Sequence, residues 1–260
     1  MKKTKLALWA ACLVLSANPL AVFGASEEAL SRMIAQDRKK TETPVDLQPT
    51  SQEKKSGSSS EMPVYRPTLR GAPAGRVAGG TRGIENEDAH VLVLAPDHTG
   101  LTANRQPSLY WFLSAKTAFP VEFTLIEQKA VKPLVEKRLV PPKEQGIHSI
   151  RLADYGITLE EDRVYRWFVT LIPDPGRRSK DILSGGFIQR VEPSRELREK
   201  LERAMGKDAV HFYAEAGLWY DAFTAACDLI ERSPDDVHLR QMRSSLLQQG
   251  GLDQVASELQ

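Results

Sequence analysis

At 260 residues the chain has room for one or two domains, and 35 lysines and arginines against 34 aspartates and glutamates give a net charge of +1. That balance offers no field to a polyanion, which argues against a nucleic-acid binder. Two cysteines cannot by themselves make a disulfide scaffold or a four-ligand zinc site.

The chain opens with Lys2, Lys3 and Lys5, and no acidic residue precedes Glu27. Leu6 to Leu15 is an apolar run of signal-peptide length, half of the ~20 residues that a membrane-spanning helix needs. Pro19 breaks the run, and Val22-Phe23-Gly24-Ala25 supplies small residues for a peptidase. Cleavage after Gly24 is expected, with residues 1–24 as the signal and the rest exported to the periplasm or outside the cell. Two alternatives are an uncleaved anchor reaching Ala21, interrupted by Asn18-Pro19, and a lipoprotein signal ending at Cys12, before which the apolar stretch is too short. Removing the three lysines leaves 32 basic residues against 34 acidic, a net charge of −2. The mature chain then holds one cysteine, Cys227, inside an apolar helical pattern, where it reads as a small buried hydrophobe.

Residues 25–83 read as a linker. Glu27 to Arg38 has helical spacing at Leu30, Met33 and Ile34, but Lys39 to Glu61 has little apolar surface to offset the entropy of ordering. Arg70 to Gly83, rich in glycine and arginine, reads as an extended strap. It also has the look of an anion-binding loop, but it lacks the lysine and following helix of a P-loop.

Residues 84–192 change to a β pattern. His90–Ala95, Leu109–Leu113, Val121–Ile126, Leu134–Val140, His148–Leu152, Tyr165–Leu171 and Ser184–Val191 are short runs divided by turn residues, the pattern of a β-sandwich. Leu159 followed by Tyr165, Trp167 and Val169 resembles the strand entry of fibronectin type III and immunoglobulin-like domains, in which a tyrosine hydroxyl closes the corner on nearby backbone. Leu109–Leu113 is apolar on both faces, so Tyr110, Phe112 or Phe168 is expected to lie under the helices or the strap.

Residues 193–260 turn helical. The expected segments are Arg195–Met205 capped by Ser194, Ala209–Ala216 capped by Asp208, Leu218–Arg232, Asp235–Gln249 and Leu252–Leu259. Gly217-Leu218 and Ala222 recur 34 residues later as Gly251-Leu252 and Ala256. Tyr213, Gly217, Trp219, Ala222 and Pro234 have the spacing of a tetratricopeptide repeat. One and a half units fall short of the ~3 such arrays need, so the helices are expected to lean on the sheets.

No Gly-x-x-x-x-Gly-Lys, Gly-x-Ser-x-Gly, His-Glu-x-x-His or paired Cys-x-x-Cys is present. The five histidines (His90, His98, His148, His211, His238) are dispersed. His98 sits in the turn Pro96-Asp97-His98-Thr99-Gly100 with Asp97 placed to orient it. Glu85-Glu87-Asp88 and Glu160-Glu161-Asp162 are the carboxylate clusters a glycosidase would draw on, and both read as solvated turns. Asp174 to Asp181 carries three cations that suit an anionic partner or plain solubility.

Several strings resemble one bacterial family of exported proteins, that of the domain of unknown function 928. They are Arg70-Gly71-Ala72-Pro73, Arg76 to Gly83, Ala95 to Thr102, Leu109-Tyr110-Trp111-Phe112, Arg151 to Gly156, Pro173-Asp174-Pro175 with Arg178-Ser179, and Ala216 to Ala222. The resemblance runs from about Tyr65 to Leu247 and brings no activity, cofactor or catalytic residue.

The expected fold class is α+β: an immunoglobulin- or fibronectin-III-like antiparallel sandwich followed by a small tetratricopeptide-like region. The expected function is a non-enzymatic envelope adaptor contacting another protein, without nucleic acid, cofactor, metal, catalytic residue or membrane span after cleavage. The alternative is a glycan- or small-ligand-binding module using Tyr110, Trp111 or Trp167 as a platform, with a hydrolase third.

Overall fold

In a computed structural model the described residues are 61–68, 75–78 and 89–259. The expected signal segment and 27–38 helix, most of the expected linker and Glu85-Glu87-Asp88 lie outside them. The chain is α+β, with strands first and helices after.

The strands are β1 (Val77–Ala78), β2 (Val91–Val93), β3 (Gly100–Thr102), β4 (Ser108–Leu113), β5 (Val121–Glu127), β6 (Val135–Leu139), β7 (Gly146–Arg151), β8 (Val164–Leu171) and β9 (Ile182–Arg190). One sheet runs β1-β9-β8-β5-β6 and the other β2-β4-β7. All seven expected strands are present. The remaining two come from segments read as strap and turn. Val77–Ala78 pairs antiparallel with Ser184–Gly185, and Gly100–Thr102 pairs parallel with Ile188–Arg190. Both lie along β9, whose edge is too long to leave open without protection. Two or three residues are too few for any periodicity to show.

Alternation decides which side chains enter the core. Val121, Phe123 and Leu125 of β5 are fully buried, as are Trp167 and Val169 of β8, while the residues between them are partly exposed. The sheets are also tied by a polar contact, the Val93 N–H donating to the buried Ser184 hydroxyl at 2.9 Å. At the start of β8 the Tyr165 hydroxyl accepts from the Glu160 N–H at 3.0 Å over the buried Leu159, which is the corner bond expected from sequence.

Five helices follow among the described residues: α1 (Arg195–Glu202), α2 (Asp208–Glu215), α3 (Trp219–Arg232), α4 (Val237–Gln249) and α5 (Asp253–Glu258). The Ser194 hydroxyl accepts from the Leu197 N–H, as expected of a cap. Asp208 does not cap α2. It is itself the first helical residue, and its carboxylate accepts from Met205 N–H in the preceding turn.

The 34-residue recurrence has a backbone cause. Gly217 and Gly251 both have positive φ, 74° and 72°. In each turn the glycine N–H bonds three residues back (to Ala214 and Gln248), and the following leucine N–H bonds five back (to Tyr213 and Leu247). These are two Schellman closures, each needing a left-handed residue and each followed by a buried leucine. Ala222 and Ala256 then bond back to Leu218 and Leu252, and both are fully buried.

Helices α2–α5 share one apolar cluster with both sheets. Helix α3 supplies the join through its first turn and a half. Trp219 Nε1 donates to the Leu94 carbonyl at 3.2 Å. The Tyr220 hydroxyl donates to the Phe187 carbonyl and accepts from Trp167 Nε1, both at 2.9 Å. Phe223 meets Tyr110 edge-on at 5.2 Å, so Tyr110 lies beneath the helices as expected. Phe112 is buried too, with His90 beside it at 6.4 Å.

Gly100 makes room for this join. A Cβ there would lie 2.7 Å from the Tyr220 ring and 3.0 Å from Pro96 Cδ. Gly100→Ala is therefore expected to destabilise the chain by about 1–3 kcal/mol through overpacking. Urea unfolding measures it, and an unchanged midpoint would show that the Tyr220 ring is free to shift.

Candidate functional site

The loop before β3 brings together groups that are distant in sequence. Asp97 Oδ1 lies 2.9 Å from His98 Nδ1, so the orienting contact read from sequence is present. The other ring nitrogen, Nε2, lies 2.8 Å from the Tyr65 hydroxyl. Tyr65 stacks on His98 with ring centroids 5.8 Å apart and meets Trp219 edge-on at 5.2 Å. Burial, with the Asp97 charge adding to it, raises the Tyr65 pKa well above that of an ordinary tyrosine. The phenol therefore stays protonated and is hydrogen-bonded to Nε2, while Nδ1 is hydrogen-bonded to the Asp97 carboxylate. A protonated, buried phenol is a poor nucleophile, and the arrangement works as a clip.

The clipped segment is residues 61–68. Tyr65 N–H donates to Gln249 Oε1 at 2.7 Å, Gln249 Nε2 donates to the Pro63 carbonyl at 2.8 Å, and Arg66 N–H donates to the Ala214 carbonyl at 3.0 Å. Arg76 from the strap donates to the Gly251 carbonyl. Of the three strap arginines only Arg76 lies among the described residues, and there it also feels the charges of Asp97 and Asp253.

The other sequence candidates are neutralised or buried. Glu160 pairs with Arg163 at 2.6 Å and Glu161 with Arg190 at 3.8 Å. In the 174–181 loop Arg177 pairs with Asp174 at 2.5 Å, and Arg178 bridges Asp181 (2.6 Å) and Glu122 (2.8 Å). Two of its three cations are thus satisfied internally. Tyr110, Trp111 and Trp167 are all buried and offer no ring face to a sugar. Alternation had placed the two tryptophans inward, and Phe223 covers the tyrosine. Cys227 is buried, and desolvation pushes its thiol up to about 12 against the opposing pull of Arg243, as befits a packing residue. Among the described residues no group of three His, Cys, Asp or Glu is placed to hold a metal ion.

The feature that sequence reasoning missed lies on α4. A cavity of about 640 Å³ opens along this helix, walled by Met62 of the clipped segment, by α4, and by Leu259 after α5. The α4 wall presents Val237, Arg240, Gln241, Arg243, Ser244, Ser245 and Gln248. It holds two guanidinium groups and no carboxylate. Arg243 Nε and Ser244 Oγ are buried there without a hydrogen-bond partner among the described residues. Asp236, just before the helix, is occupied with capping: it accepts from the His238 and Leu239 N–H groups and lies 3.8 Å from Lys207. The signal was in the sequence as an acid-free stretch, Val237 to Leu252, carrying Arg240, Arg243 and His238. It stayed illegible because Met62, some 180 residues earlier, completes the wall.

A second, smaller cavity of about 150 Å³ lies beside the join, lined in part by Asn104, Ser108, Tyr213, Asp221 and Asp228. Asp221 accepts from the Ala103 N–H at 2.9 Å. Burial pushes its carboxyl up to about 6, opposed by the hydrogen bonds from the backbone N–H groups and the Thr102 hydroxyl.

A family model, the Domain of Unknown Function (DUF928), matches residues 77–259, from β1 through all five helices. No curated protein matches the chain.

Proposed function

The chain belongs to the DUF928 family, and we propose that it is an exported, non-catalytic interaction module of the cell envelope. In this reading the two sheets are an immunoglobulin- or fibronectin-III-like sandwich, and α2–α5 are about one and a half tetratricopeptide-like units presented to a protein partner. The observation that carries it is the α4 cavity, the largest of those described. It lies on a helix that packs on α3 and α5 and still keeps a polar face open. The twin Schellman turns at 34-residue spacing and the Tyr165 corner support the two fold resemblances, while the cationic start and short apolar run support export. Tetratricopeptide-like and sandwich folds both serve as adaptors, a support by analogy.

The test is a photocrosslinking amino acid placed in cells at Gln241 or Gln248, both exposed, with Lys129 on the far β5–β6 turn as control. A discrete protein adduct from the α4 positions and none from residue 129 is expected. The same pattern of adducts at all three sites, or none at any, overturns the reading. Mass measurement of the purified mature chain is expected to place its first residue at Ala25.

A further inference from the structure

We propose that the α4 cavity receives an acidic, extended segment of the partner protein, with Arg240 and Arg243 as its carboxylate receptors. The proposal rests on the protein-contact reading above and adds the chemistry of the partner.

Charge makes the first argument. The wall carries two guanidinium groups, two serine hydroxyls and two glutamine amides, a donor-rich surface without an opposing acid. Nearby carboxylates on the packed elements are turned elsewhere or set back. Glu258 of α5 faces His90 at 3.8 Å and Gln254 at 3.1 Å. Asp228 and Glu231 of α3 act on Cys227 and do not line the cavity. Guanidinium forks match carboxylates in geometry and bind them bidentately.

Shape makes the second. Val237, Arg240, Gln241, Ser244, Ser245 and Gln248 recur at three- and four-residue spacing along one face of α4. At 1.5 Å per residue this stripe is about 16 Å long, the span of roughly five residues of extended chain at about 3.3 Å each. A single phosphate would fill a small part of 640 Å³. Val237, 56% exposed, with Met62 and Leu259, gives apolar side chains of such a segment a place between the charges. Arg240 already donates to the Pro234 carbonyl, and this contact steadies its side chain.

The experiment measures fluorescence anisotropy of the full chain with a labelled eight-residue peptide of alternating glutamate and leucine. The same peptide with lysine for glutamate, inorganic phosphate as competitor, and vesicles containing phosphatidylglycerol are the other arms. Binding of the glutamate peptide is expected, at least about tenfold weaker in Arg240→Glu/Arg243→Glu, as the loss of one charge-assisted bond implies. Because Arg243 also contacts Cys227, the double variant Gln241→Glu/Gln248→Glu places acid on exposed positions without touching the core, and a similar weakening is expected. Equal binding of the lysine peptide, indifference to both variants, full displacement by millimolar phosphate, or binding of vesicles in place of peptide each overturns the proposal. A crosslinked partner at Gln241 without peptide binding overturns the acidic segment and leaves the adaptor reading standing. Loss of both overturns both.

Discussion

Replacing Trp219 by alanine is expected to destabilise the chain by about 3–5 kcal/mol, the range for truncating a fully buried large aromatic. The side chain is inaccessible to solvent and touches Tyr65, Phe223 and the Leu94 carbonyl at once. It therefore joins the clipped segment, the helices and the smaller sheet. Because these parts share one apolar cluster, the loss should lower a single cooperative transition. Circular dichroism of the helices and fluorescence of the remaining tryptophans, followed through a urea titration, should move together to the lower midpoint. Separate transitions for the two probes would show that the helices fold independently, against the shared-core account. A companion variant, Tyr220→Phe, keeps the ring and removes only the hydroxyl between Trp167 Nε1 and the Phe187 carbonyl. Its expected cost is smaller, about 1–3 kcal/mol for leaving buried polar partners unmet.

The second large effect is a pH dependence centred on Asp221. Its carboxyl is raised from 3.8 to about 6 by burial, so the folded chain binds this proton more tightly than the unfolded chain does. The contribution to stability is then full below about pH 4, where both states are protonated. It is lost as pH rises through about 6, since ionising the buried group penalises only the folded state. A shift of this size corresponds to at most about 3 kcal/mol. Asp228, on the same cavity, is also raised by burial first and by Glu231 second, and acts in the same direction. Asp221→Asn keeps an oxygen to accept from Ala103 and removes the titration. The stability of the native chain relative to this variant is expected to fall by about 2–3 kcal/mol between pH 4 and 7.5. Parallel curves for the two proteins in urea unfolding would place the titration elsewhere.

The seven principal strands were legible as apolar or alternating runs bounded by turn residues, with alternation clearest at Val121, Phe123 and Leu125. The corner at Tyr165 was legible because its partner lies five residues away. The helix ends were legible where the cap is local, as at Ser194, and were misassigned at Asp208, whose carboxylate serves the preceding turn. Of the site, the Asp97–His98 contact was readable from adjacency, while Tyr65, the residue that makes it a clip, comes from a segment read as linker.

What the sequence determined by itself is whatever depends on neighbours within a few residues. The 34-residue recurrence belongs here, because a glycine and the leucine after it suffice to close a helix in a Schellman turn. So does the stretch from Val237 to Leu252 with two arginines and no acid. Tertiary structure alone decided what needs partners far apart along the chain. It brought Tyr220 to Trp167, Tyr65 to His98, and Met62 to α4. It also made Asp221 a titrating group by enclosing it between α3 and the loop after β3. Burial and hydrogen-bond pairing belong to the folded arrangement, and a local pattern carries no record of which distant surface will cover it.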